Sequence, residues 1–117
     1  MYKLILSLFF SISLLYSQVY NCTKRFSGEI LKDTIVYNTI EECSTKLTIK
    51  KTNIIIEDGK YNYKLKQRVL KTNSEIIYYA IDWEDLKCII IIENYSDFKY
   101  IYFQYENMVF GYKIIEI

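Results

Sequence analysis

The sequence predicts an all-β protein: a single-domain antiparallel meander curled into a small barrel or half-barrel, preceded by an N-terminal signal-peptide helix. Three observations carry that prediction. Short β-branched and aromatic runs recur from Thr45 to the C-terminus, separated by tight polar breaks. Asp58-Gly59 stands between two such runs, and Asp and Gly tolerate the positive φ that a two-residue hairpin turn requires. Finally, the stretch Glu75–Glu93 is apolar on both faces of its hairpin, which places it inside a sheet that is covered or curled over.

Taken in order, the chain opens with Lys3, a softened apolar run over 4–15, and Ser17, the pattern of a signal peptide spanning 1–17 and cut before Gln18. The run is too short to span a membrane comfortably. A lipoprotein cut before Cys22 is disfavoured, because Asn21 stands where a small residue is needed. Residues 18–44 read as an N-terminal arm with short strands. Gln18–Arg25 is polar, and Phe26–Leu31 and Thr34–Tyr37 are strand candidates broken at Lys32-Asp33. Thr39 and Glu42 have capping-box spacing, enough for one helical turn.

Residues 45–117 read as the core meander, completing one domain over 18–117. Leu47 and Ile49 alternate with polar neighbours. Around Asp58-Gly59, Ile56 faces Tyr61 and Ile54 faces Tyr63. Arg68–Thr72 is a weaker strand ahead of the Asn73-Ser74 turn. With Trp83-Glu84 at the tip of the next hairpin, Tyr79 faces Cys88 and Ile77 faces Ile90. In the last hairpin, Phe103 faces Phe110, Ile101 faces Tyr112, and Tyr102 covers Gly111. Seven strands follow Thr45, with one or two upstream. The expected interior is Ile54, Ile56, Tyr61, Tyr63, Ile77, Tyr79, Ile90, Ile101, Phe103, Phe110 and Tyr112, all large, which implies a filled core.

Composition narrows function by exclusion. Without Lys3, 14 basic residues balance 14 acidic ones. With no basic cluster, nucleic acid is not an expected partner, and no stable membrane insertion follows signal cleavage. The chain has no histidine, so Cys88 lacks the usual base for thiolate catalysis, and the scattered cysteines show no zinc spacing. No enzyme activity, cofactor or metal is expected.

Cys22, Cys43 and Cys88 in an exported chain predict one disulfide and one free thiol. Three pairings are open. Cys22–Cys43 is favoured because both lie outside the expected regular strands, with Cys43–Cys88 next. Asp82, Trp83, Glu84 and Asp85 are the candidate binding residues: an aromatic with three carboxylates could stack on a sugar or hold calcium loosely. The plainer alternative is a solvated turn with Trp83 folded back on the sheet. Tyr78, Tyr100 and Tyr102 are candidates for an outer aromatic face. Asn21-Cys22-Thr23 and Asn94-Tyr95-Ser96 match the glycosylation pattern. Tyr20-Asn21-Cys22 ahead of a small β body resembles the N-terminus of periplasmic lysozyme inhibitors; the resemblance covers three residues and implies no site residue. The expected function is a secreted or periplasmic non-catalytic β protein with a binding or structural role and a protein or glycan partner; the alternative is a carrier of small apolar ligands in the barrel interior.

Overall fold

Alternating burial carries each strand round a closed barrel in the computed structural model, which describes residues 17–57 and 59–117. The expected signal peptide lies outside the described residues, apart from Ser17. The strands are β1 Ser17–Leu31, β2 Thr34–Lys50, β3 Asn53–Ile56, β4 Tyr61–Lys71, β5 Glu75–Ile81, β6 Lys87–Asn94, β7 Lys99–Gln104 and β8 Met108–Glu116. Each pairs antiparallel with the next, and β8 returns to β1. This is the predicted meander, and the ring closes with eight strands.

Two hairpins fall in the predicted register. Ile56 pairs with Tyr61 and Ile54 with Tyr63, around a turn in which Gly59 has φ 99° and Lys60 N–H donates to the Glu57 carbonyl at 3.1 Å. Phe103 pairs with Phe110, Ile101 with Tyr112 and Tyr102 with Gly111. A Cβ on Gly111 would lie 2.5 Å from the Ile101 carbonyl oxygen and 2.7 Å from the Phe26 ring. Phe26, opposite Gly111 on β1, therefore supplies the covering ring, and Tyr102 packs beside it at 5.4 Å between centroids.

Three expectations need correction. The strand candidates Phe26–Leu31 and Thr34–Tyr37 and the break at Lys32-Asp33 are found, but Gln18–Arg25 is no arm and Thr39–Glu42 no helical turn; both extend the two longest strands, β1 and β2. Their connection is a two-residue turn at Lys32-Asp33, with φ 49° and 65°. Lone strands of polar composition are unconvincing in sequence, but β8 lies along β1 and stabilises the ribbon. Next, Arg68–Thr72 is not a separate strand: β4 runs from Tyr61 to Lys71, with bulges between Leu65 and Gln67 and between Arg68 and Leu70.

The third correction is the register of β5 and β6, which is one residue off. Ala80 rather than Tyr79 faces Cys88, and Tyr78 rather than Ile77 faces Ile90. A one-residue slip exchanges the two faces of a strand. Tyr79 is accordingly exposed, while Ala80 is buried and Tyr78 packs against the core instead of the outer face. Ile77 lies on the same outward side as Tyr79.

The interior is filled by Tyr20, Leu47, Ile54, Ile56, Tyr63, Ile90, Ile101, Phe103 and Ile114, each almost wholly buried. Burying one such side chain contributes about 1.5–3 kcal/mol. An eight-stranded barrel has an interior of about the size that side chains fill. Tyr61 and Phe110 are half-buried at its margin.

Candidate binding site at the barrel mouth

The β5–β6 connection explains both the register shift and the position of the sole tryptophan. Asp82 pairs with Leu86: its N–H donates to the Leu86 carbonyl at 2.9 Å, leaving residues 83–85 as a three-residue loop. Asp85 N–H closes the turn on the Asp82 carbonyl at 3.1 Å, and Asp85 takes a left-handed conformation at φ 63°. The Asp82 carboxylate fixes the loop from within. Oδ1 accepts from the N–H groups of Glu84 and Leu86, both at 2.9 Å, and Oδ2 accepts from the Tyr105 hydroxyl at 2.7 Å.

The predicted cluster is therefore split. Asp82 is 5% exposed and engaged in the turn, while Glu84 and Asp85 are exposed and do not line the cleft described next. Only Trp83 reaches a concave site. Its ring lies 4.6 Å from Tyr61 and 5.5 Å from Tyr63, in edge-on geometry, and it stays 43% exposed. Beneath it, burial pushes the hydroxyl pKa values of Tyr63 and Tyr105 up; the hydrogen bond to Asp82 raises Tyr105 further, while that from Tyr105 works the other way on Tyr63.

The cleft beside Trp83 has a volume of roughly 400 Å³. It is lined by Tyr61 and Trp83, by Arg25, Ser27, Thr39 and Glu41 of the long hairpin, and by Phe110 beside Ser27. The buried Tyr63 and Tyr112 also line it. Arg25 Nη2 donates to Glu41 Oε1 at 2.7 Å, with both side chains about half exposed, and the hydroxyls of Ser27 and Thr39 share a hydrogen bond. Rings and hydrogen-bonding groups lining one cleft suit a ligand with an apolar face and a hydrogen-bonding edge. Sequence reading missed the polar lining, because Arg25 meets Glu41 only once the Lys32-Asp33 turn and an intervening bulge are known.

A hollow of roughly 610 Å³ on the outer side is lined by Tyr79, Ile81 and Ile89, with Lys66 and Lys87 at its border. Elsewhere outside, Tyr100 and Tyr102 join Phe26, Tyr95 and Phe98 in a chain of ring contacts at 5.0–6.1 Å. Lys113 Nζ sits 4.5 Å from the Phe98 centroid. Phe26 is buried among these rings, while Tyr95 stays half exposed.

The cysteines stand as thiols, with Cys43 Sγ 3.5 Å from the Cys22 carbonyl oxygen across a β1–β2 bulge. Burial, with a smaller contribution from Cys43, pushes the Cys22 thiol up to about 12. Among the described residues, no group of three or more His, Cys, Asp or Glu side chains is arranged to hold a metal ion. Among the described residues, no helix is long and apolar enough to cross a membrane. In comparisons with known proteins, the chain matches no family model, no curated protein and no solved structure.

Proposed function

We propose that this chain is a non-catalytic binding protein of the periplasm or cell exterior, and that it meets a protein or glycan partner at the barrel mouth around Trp83. One observation carries the reading: the interior is occupied by its own large side chains, while the sole tryptophan remains exposed over a ring-walled cleft. Exposed aromatics beside hydrogen-bonding groups are typical of recognition surfaces. The carrier alternative would have to seat its ligand among Tyr63, Ile90 and Phe103, which already fill that space.

Because Trp83 is the only tryptophan, its fluorescence reports on the mouth. Oligosaccharides, fatty acids and envelope extracts are titrated against wild type and Trp83→Ala. A saturable spectral change, with binding lost in the variant, is expected. Stoichiometric uptake of a fatty acid that is indifferent to Trp83→Ala would replace this reading with the carrier.

Export and oxidation belong to the same proposal. The N-terminal pattern supports cleavage before Gln18. Cys22 and Cys43 lie within the paired strands β1 and β2 rather than outside regular strands, and their place on neighbouring strands is what supports a bond between them once oxidised. Thiol labelling of exported, denatured protein is expected to find one reactive cysteine, Cys88, and three after reduction. Losing the bond is expected to cost about 2–4 kcal/mol. Label on Cys22 or Cys43 before reduction contradicts the pairing.

A further inference from the structure

The long strand β2 spans 17 residues, and its neighbour β3 only 4. Leu47, Thr48 and Ile49 pair with β3, and Glu57 N–H donates to the Lys46 carbonyl at 3.1 Å. Beyond Ile56 the chain turns back into β4. From Thr34 to Thr45, no described strand pairs with that edge of β2.

Exposed edges are usually blunted by proline, charge or a covering element. The chain has no proline, and this edge carries exposed Ile35, Val36, Tyr37 and Ile40, the last 72% exposed. Bulges at Asn38 and around Cys43-Ser44 interrupt it, leaving Thr39–Glu42 as a regular stretch between them. That stretch forms part of the mouth: Thr39 and Glu41 line the cleft with Tyr61 and Trp83. A shallower concavity of roughly 530 Å³, bordered by Ser44, Thr45, Lys46 and Glu57, lies along the same edge.

We infer that an extended segment of a partner protein adds to this edge as a strand, antiparallel to β2 and in line with β3, and sends one large apolar side chain into the cleft against Trp83 and Tyr61. The inference rests on the mouth reading and narrows its partner to an extended peptide. A strand about 4.8 Å from β2 alternates its side chains, so every second one turns toward the barrel axis and the cleft. Main-chain hydrogen bonds then supply affinity, and the pocket supplies specificity. A glycan could use the rings, but it would leave the peptide groups of Thr39–Glu42 to water. The free edge beside the cleft therefore favours a peptide.

The test selects from a random octapeptide display library with the exported wild-type protein, then follows amide hydrogen exchange with a selected synthetic peptide. Selected peptides are expected to alternate, with a large apolar residue at one position, and proline within them should abolish binding. At about ten times the dissociation constant, exchange across residues 34–45 is expected to slow roughly tenfold. No selection above background, or binding that leaves exchange at 34–45 unchanged, overturns the inference. Slowing that depends on protein concentration without peptide also overturns it, by assigning the edge to a second copy of the chain. An oligosaccharide that perturbs Trp83 without protecting 34–45 removes the peptide and keeps the mouth. Peptide binding undiminished by Trp83→Ala removes both readings.

Discussion

Asp82 shows how one side chain can decide local geometry. Its carboxylate accepts two backbone N–H groups of its own loop and the hydroxyl of Tyr105, 23 residues away. Removing it breaks three hydrogen bonds to a carboxylate and strands the half-buried Tyr105 hydroxyl; a lost hydrogen bond to a charged group costs about 1.5–3 kcal/mol, less where water reaches the donor. Asp82→Ala is expected to destabilise by about 2–4 kcal/mol. Asp82→Asn keeps one oxygen for the loop and should cost less than half as much. Urea unfolding followed by circular dichroism ranks the variants, and equal losses would mean that the contact with Tyr105 contributes most of the stabilisation. In sequence, Asp82 looked like one of three equivalent carboxylates beside Trp83. Nothing local separates a carboxylate that caps its own turn from one that faces a ligand.

At the scale of elements, the long β1–β2 ribbon turns at two residues that adopt positive φ without being glycine. Lys32 and Asp33, at 49° and 65°, fit the turn that matches strand twist, but a lysine there is strained. Replacing the pair with Asn-Gly is expected to stabilise the protein by about 0.5–1.5 kcal/mol. The check is a rise in the thermal midpoint with an unchanged far-ultraviolet spectrum; a fall would mean that the lysine or aspartate side chain matters more than the backbone. The same comparison explains two correctly read hairpins and one misread. Gly59 and Glu106-Asn107 sit in turns whose length is set locally. The Trp83 loop takes a third residue because Asp82 binds inward, and that shift turns Tyr79 out and Tyr78 in.

For the whole molecule, the barrel gathers tyrosine hydroxyls and thiols where ionisation is costly. Burial, with Glu116 adding to it, pushes Tyr20 up to about 12, and burial with Cys22 adding raises Tyr112 to about 12. Burial, reinforced by Asp82, raises the Cys88 thiol to about 11. Tyr63, Tyr102 and Tyr105 shift in the same direction, chiefly through burial. Each raised group keeps its proton longer in the folded chain than in the unfolded one. Its stabilising contribution is complete below the unfolded pKa, about 9 for the thiol and 10 for the tyrosines, and is lost as pH rises through the folded value. Stability is therefore expected to hold steady from pH 7 to 8.5 and to fall steeply between about pH 10 and 12. Urea midpoints across that range, with tyrosinate absorbance read in parallel, test it. Full tyrosinate absorbance, from buried and exposed tyrosines alike, reached without loss of structure would contradict the burial.

Local chemistry made much of the fold legible from sequence. Alternation named the strands from Thr45 onward, Asp58-Gly59 set a register, and large residues on one face implied a filled interior. What lay beyond local chemistry came from partners distant in sequence. β1 is a strand because β8 lies along it, Arg25 faces Glu41 because a bulge intervenes, and Trp83 overhangs Tyr61 because Asp82 is drawn inward by Tyr105. Of the candidate site, the sequence determined one residue, Trp83. Tertiary structure supplied the polar lining and left the edge of β2 open. Side-chain alternation repeats every two residues and is written in the chain; pairing register is a contest between long-range contacts, decided only when the barrel closes.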